Sequence, residues 1–173
     1  MTDPLTSIDP PALLTEAHDA STFTSGELVL DDWLRQRAWA NLQAAASRTY
    51  VLCSPGTRIV IGYASLSMGQ ILARETLGSM RRNMPRFIPA VVLGRLAIDQ
   101  AWQGKGIGRA LLADVVSRAL RASAEVSARL IIVHAISPAA ETFYLHHGFA
   151  RLPVETPTFA LDLVRLQKLR DSN

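Results

Sequence analysis

The sequence predicts a single α/β domain of 173 residues, a β-sheet with both faces at least partly covered by helices. Three observations predict it. Strand-like and helix-like segments alternate along the chain, as layered α/β folds require. The apolar run Ile88 to Ile98 passes through a glycine-rich turn into an amphipathic helix. A second apolar run, Leu130 to Ala135, leads into a helix bounded by Ser137-Pro138 and Gly148. With 49% apolar and 19% charged residues the chain can bury a core. No repeat, low-complexity tract or linker divides it, so one domain is expected over 1–173.

Taken in order, Met1 to Pro11 carries three prolines and reads as an extended arm, and Leu13 to Glu16 as a short first strand. After Ser25-Gly26, the residues Leu28, Leu30, Trp33, Leu34, Ala38 and Leu42 fall near helical spacing and predict one long helix. Thr49 to Ser54 and Arg58 to Ser67 are β-rich and flank Pro55-Gly56, a hairpin signal. Arg74 to Arg86 is polar and irregular, with room for a short helix. In Gly106 to Ala122, Leu111, Leu112, Val115, Val116, Ala119 and Leu120 share one helical face, while Arg109, Asp114, Arg118 and Arg121 occupy the other. Phe149 to Leu152 and Thr158 to Leu163 read as closing strands.

The same composition excludes several classes. The longest apolar runs fall far short of the roughly 20 residues a membrane helix needs. The opening MTDPLTSIDPP has an aspartate where a signal peptide is basic. Cys53 is the only cysteine, so no internal disulfide forms. These features point to a soluble cytoplasmic protein without membrane attachment. No His, Cys and Asp spacing suggests a metal site. His134 reads as a core histidine, and His146 and His147 as helix-terminal residues favoured by the dipole. The net charge is only +3, yet all but Lys105 and Lys168 of the 18 basic residues are arginine, whose flat fork of donors suits phosphate and carboxylate.

The chemistry concentrates in Leu93 to Leu112. Gly104, Gly106 and Gly108 let backbone N–H groups point at one place without Cβ interference. The helix that follows adds its unpaired amides and positive dipole end, making an anion site of a size suited to a pyrophosphate. It is not a GxxxxGK[ST] phosphate loop, because Lys105 has neither the spacing nor a following Ser or Thr. It is not a GxGxxG dinucleotide fingerprint either, because Arg109 stands at the last glycine position.

The run Gln103-Gly104-Lys105-Gly106-Ile107-Gly108 resembles the Q/R-x-x-G-x-G/A motif of the GNAT acetyltransferase superfamily, and Ala140 to Phe149 resembles its A-x-x-F-Y-x-x-x-G-F segment. The likeness runs over essentially the whole chain. Phe23 to Gly26, Leu30 to Leu34, Arg48 to Val51, Gly62-Tyr63 and Ile88-Pro89 through Leu93 to Ala97 are similar to one branch of it. That branch holds the toxins of bacterial toxin–antitoxin pairs that acetylate aminoacyl-tRNA and block translation. The resemblance implies a mixed, mostly antiparallel sheet splayed at an acetyl-CoA slot. It further implies acetyl-CoA as cofactor, aminoacyl-tRNA as acceptor, a homodimer, and a small DNA-binding antitoxin as partner.

Residue by residue, the resemblance assigns Leu96, Ala97 and Ile98 to the pantetheine arm, through backbone groups that act as a neighbouring strand. It assigns Gln103, Gly104, Lys105, Gly106, Ile107, Gly108 and Arg109 to the pyrophosphate, with the side chains of Lys105 and Arg109 either adding charge or facing solvent. Tyr144 is the expected general acid, giving a proton to the departing thiolate. No general base stands out. Glu27, Glu75 and Glu141 are candidate bases, but each reads better as a solvated surface charge. An α-amine near pKa 7.7 is already about 15–20% neutral at pH 7 and can lose its proton to water, whereas a lysine amine is only about 0.04% neutral.

Arg74, Arg81, Arg82 and Arg86, with Arg95 close behind in sequence, form the candidate RNA surface, which Arg48 can join. Two other readings stand beside the tRNA toxin. One is an acetyltransferase of a protein N-terminus or small amine, and the other a non-catalytic acyl-CoA-binding module. Tyr144 speaks against the last.

Overall fold

In a computed structural model the described residues are 3–173. Met1 and Thr2 of the expected arm lie outside them. The chain forms a seven-stranded open sheet of order β1-β2-β3-β4-β5-β7-β6. Its strands are β1 (Ala12–Leu13), β2 (Arg48–Cys53), β3 (Val60–Leu72), β4 (Phe87–Ile98), β5 (Leu130–His134), β6 (Ala150–Arg151) and β7 (Thr158–Asp162). The helices are α1 (Leu28–Gln36), α2 (Ala38–Gln43), α3 (Gly78–Arg81), α4 (Ile107–Glu125), α5 (Pro138–His146) and α6 (Leu163–Asp171). Strands β1 and β2, β2 and β3, β5 and β7, and β6 and β7 pair antiparallel, while β4 and β5 run parallel. This is the mixed, mostly antiparallel α/β architecture expected from the sequence.

By internal contacts the chain resolves into two compact units. The first holds residues up to Ser67 together with Gly94–Val115, and the second holds Met68–Leu93 together with Val116–Asn173. In the first, Leu14, Phe23, Leu30, Leu34, Ala38, Val51, Val60, Tyr63 and Ala97 form the core, with Trp33 and Trp39 packed against it. Tyr63 is fully buried and donates its hydroxyl to the Leu30 carbonyl at 2.7 Å, so the ring joins β3 to α1 by both packing and a hydrogen bond. In the second, Met80, Ile88, Ala90, Leu130, Ile132, Leu152 and Ala160 form the core. There Arg129 grips Asp162 through Nε and one terminal nitrogen, both at 3.0 Å, and Asp162 caps α6 by accepting from Val164 and Arg165.

Several elements differ from expectation. The single long helix after Gly26 is two helices, broken at Arg37 where φ is −123°. The first strand lies at Ala12–Leu13 because its register is set by Val51 and Tyr50 on β2. The arm is not extended throughout. Pro4–Ser7 makes one 3-10 turn, and Ile8 to Pro11 line a cavity of about 100 Å³ with Leu52, Ile107, Ala110 and Leu111, which covers apolar side chains of β2 and α4. The last closing strand stops at Asp162 and gives way to α6, which the sequence pattern did not predict. His134 ends β5 and is exposed rather than in the core, although it has a partner, Thr158, at 2.9 Å.

Candidate functional site

The loop after β4 is built to present backbone N–H groups. Asp99 starts it. One of its carboxylate oxygens accepts from Ala101 N–H at 2.9 Å, and the other accepts from Thr24 N–H at 3.0 Å. A single 3-10 turn follows at Gln100–Trp102, and then Gly104 and Gly106 take φ of +74° and +79°, the left-handed region that favours glycine. A Cβ at Gly104 would meet no atom within 4 Å, so glycine is required there by backbone conformation and not by crowding. The first N–H to enter the α4 ladder is that of Ala110, which bonds the Gly106 carbonyl at 3.1 Å. The N–H groups of Ile107, Gly108 and Arg109 therefore precede the ladder and have no helical acceptor. Donors without Cβ cover, at the positive end of a 19-residue helix, fit a diphosphate.

Side chains divide around this loop. Ile107 is buried at 1% exposure and Ala97 and Ile98 are buried as well, while Leu96 is half-buried. With their side chains buried, Ala97 and Ile98 can offer a ligand only main-chain atoms. The Lys105 ammonium lies 4.9 Å from the centroid of the Trp102 ring, and Arg109 is exposed on the first turn of α4. Gln103 does something the sequence did not show. Its side-chain amide donates to the Ser25 carbonyl at 2.8 Å and to the Ile98 carbonyl at 2.9 Å, so both its protons are used in holding the loop.

The ladder between β4 and β5 covers Ala90 to Leu93, paired with Leu130 to Val133. Strand β4 runs five residues further, to Ile98, along the stretch assigned to the pantetheine arm.

In the second unit α5 is capped by Ser137, whose hydroxyl accepts from Ala140 N–H at 3.2 Å, with Pro138 in the first turn. The helix presents Tyr144 into a nest of aromatic rings. Phe143 lies edge-on at 5.2 Å, Phe149 at 5.4 Å and Phe159 at 6.5 Å between centroids. Tyr144 is 5% exposed, and its hydroxyl has no hydrogen-bond partner among the described residues. Burial pushes its phenol well above the usual tyrosine range. It therefore stays protonated at neutral pH, the form a proton donor must have. Glu141, on the same helix, is committed to Arg151 at 2.6 Å.

Arg74, Arg81, Arg82 and Arg86 are all exposed on the second unit. The Arg81 guanidinium reaches the Thr76 carbonyl at 3.4 Å, and Arg86 lies 5.5 Å from the Phe87 ring centroid. Arg95 belongs to the first unit, and its guanidinium sits 4.2 Å from the centroid of the Trp33 ring, which in turn stacks on Tyr63 at 6.0 Å. That stack holds the cation against the face of the indole. No helix among the described residues is long and apolar enough to cross a membrane.

Residues 46–151 match the family model described as the acetyltransferase (GNAT) domain. Over 158 residues the chain is 39% identical to the tRNA-acetylating toxin of Mycobacterium tuberculosis, which covers 91% of this chain and 92% of that relative. Among solved structures, AtaT complexed with acetyl-methionyl-tRNAfMet superposes with a TM-score of 0.87 at 28% identity, covering 94% of this chain and 99% of that one. A tyrosine-to-phenylalanine mutant of the AtaT toxin, bound to the C-terminus of the antitoxin AtaR and acetyl-CoA, superposes with a TM-score of 0.79 at 28% identity, covering 94% and 97%.

Proposed function

This chain belongs to the GNAT acetyltransferase family and is an acetyl-CoA-dependent N-acetyltransferase, and from that premise we propose that it acetylates the α-amino group of aminoacyl-tRNA as the toxin of a toxin–antitoxin pair. Residues 1–173 are one acetyltransferase domain in this reading. The protein works in the cytoplasm, as a homodimer, and is neutralised by a small DNA-binding antitoxin. Blocked amino groups on charged tRNA stop translation.

Acetyl-CoA supplies an acyl group activated as a thioester. The chain's own residues hold and shape the reaction. The N–H groups of Gly104 to Arg109 take the diphosphate, with Lys105 and Arg109 adding charge. The backbone of Leu96, Ala97 and Ile98 takes the pantetheine amides as a further strand would. Tyr144 holds its phenolic proton for the departing sulfur. The acceptor α-amine needs no side-chain base, because a useful fraction is neutral at physiological pH. Arg74, Arg81, Arg82, Arg86 and Arg95 bind tRNA phosphates.

The observation that carries the reading is the main-chain donor cluster at Gly104–Arg109 opening α4, in a chain so close to a tRNA-acetylating relative. The test incubates purified protein with labelled acetyl-CoA and total aminoacylated tRNA, digests the RNA and identifies the acetylated adducts. Label on aminoacyl adducts is expected. Label only on proteins or small amines replaces the acceptor, and no label removes the enzymatic reading.

A further inference from the structure

A buried carboxylate needs hydrogen-bond donors to offset the cost of taking it out of water. Asp31 is such a group. It is 4% exposed on α1 and makes no ion pair among the described residues. One of its oxygens accepts twice from the same residue, from Ser25 N–H at 3.0 Å and from the Ser25 hydroxyl at 2.6 Å. Ser25 in turn presents its carbonyl to the Gln103 side-chain amide at 2.8 Å, across 78 residues of sequence. The other proton of that amide goes to the Ile98 carbonyl at 2.9 Å. Beside this chain of contacts run two more. Thr24 N–H donates to Asp99, and Gln100 N–H donates to the Thr24 carbonyl at 2.8 Å. Gly26, at φ +96°, leaves room for the Gln100 side chain, whose nitrogen would lie 2.8 Å from any Cβ there. Every one of these residues belongs to the first unit.

The Thr24–Gly26 segment is thus clamped on two sides, by Asp31 from α1 and by Asp99, Gln100 and Gln103 from the loop that bears the glycines. Gln103 sits immediately before Gly104, so its anchor fixes where the run of N–H donors begins. We infer that Asp31 is a positioning residue for acetyl-CoA: acting through Ser25 and Gln103, it sets the conformation of the Gly104–Arg109 donor cluster. It touches no ligand itself and takes no part in moving protons. The inference rests on the assignment of that cluster to the cofactor diphosphate.

The experiment measures calorimetric Kd for acetyl-CoA and steady-state kinetics on the full-length protein, on Asp31→Asn and Ser25→Ala, on Gln103→Leu, and on the Asp31→Asn/Gln103→Leu double variant. Asp31→Asn keeps the shape and one acceptor oxygen but weakens both bonds from Ser25. Hydrogen bonds to a charged acceptor are the stronger class, and their weakening is expected to raise Kd and KM for acetyl-CoA about tenfold. The kcat at saturating acetyl-CoA stays within about twofold. Ser25→Ala removes the 2.6 Å bond to Asp31 together with the longer contacts of the Ser25 hydroxyl to the Glu27 backbone, keeps the bond from Ser25 N–H, and gives a smaller rise in the same direction, which keeps the test usable if Asp31→Asn fails to fold. The double variant is no worse than Gln103→Leu, because both changes cut one chain of contacts. Folded Asp31→Asn and Ser25→Ala proteins with wild-type Kd overturn the inference, as does loss of kcat with an unchanged KM, or full additivity in the double variant. If the wild-type protein itself takes up no acetyl-CoA, the cofactor assignment has failed instead, which is a different result.

Discussion

Replacing Gly104 with alanine isolates backbone conformation from every other property of the diphosphate loop. A methyl group placed there meets nothing within 4 Å, so the change introduces no clash and removes no contact. What it does introduce is the penalty of holding a residue with a Cβ at φ +74°. That penalty is about 1–2 kcal/mol. The loop is exposed and relaxes to avoid the strain in the free protein, so the melting temperature changes little. Binding must then restore the donor geometry, and the same 1–2 kcal/mol reappears as an affinity loss of about 5–30-fold. Gly104→Asn is the internal control, since asparagine visits the left-handed region far more readily, and it should recover most of the lost affinity. Isothermal titration of both variants with acetyl-CoA reads the difference directly. If alanine and asparagine variants both bind like the wild type, the positive-φ turn is not what the cofactor recognises and the donor-cluster argument fails.

Three further outcomes follow from the same structure. Tyr144→Phe keeps every ring contact and removes a hydroxyl that has no hydrogen-bond partner among the described residues, so stability and acetyl-CoA affinity hold while kcat falls about 10²–10⁴-fold, read by steady-state assay; a variant with near-normal kcat takes Tyr144 out of the mechanism. Burial raises the phenols of Tyr63 and Tyr144 when folded, so the stabilisation they give is whole below the unfolded pKa of about 10 and is lost as pH climbs from there towards their folded values; urea midpoints of the wild type should drop more steeply above pH 10 than those of Tyr144→Phe. If Arg74, Arg81, Arg82 and Arg86 each neutralise one phosphate, log K for aminoacyl-tRNA falls with log[salt] at a slope of about −3, and Arg81→Ala with Arg82→Ala flattens it by about 1.5; a slope unchanged by that pair moves the RNA surface elsewhere.

The sequence carried the strands and the helix after the glycines because each has a periodic apolar face, and the sheet needs those faces. It carried the hairpin at Pro55-Gly56 for the same kind of local reason. It did not carry the break between α1 and α2, since Arg37 is neither glycine nor proline and nothing local in the sequence marks its φ of −123°. Nor did it carry α6. Asp162 reads equally well as the end of a strand, and only the two N–H groups it accepts and its grip on Arg129 make it a cap. His134 was misplaced because an apolar run says which residues can be buried, not where the strand stops. In the candidate site, the glycines and Tyr144 were visible as a pattern. The Asp31–Ser25–Gln103 connection was not, because it joins positions that only the folded chain brings within 3 Å.

The sheet ends on each side in a strand of only two residues, β1 and β6. An outer row that short offers a visiting chain too few free main-chain groups to zip onto, which guards against stacking of one molecule on the next. It also narrows how any regulator can take hold of this protein. A chain that works by lengthening the sheet finds a rail of only two residues on β1 or on β6.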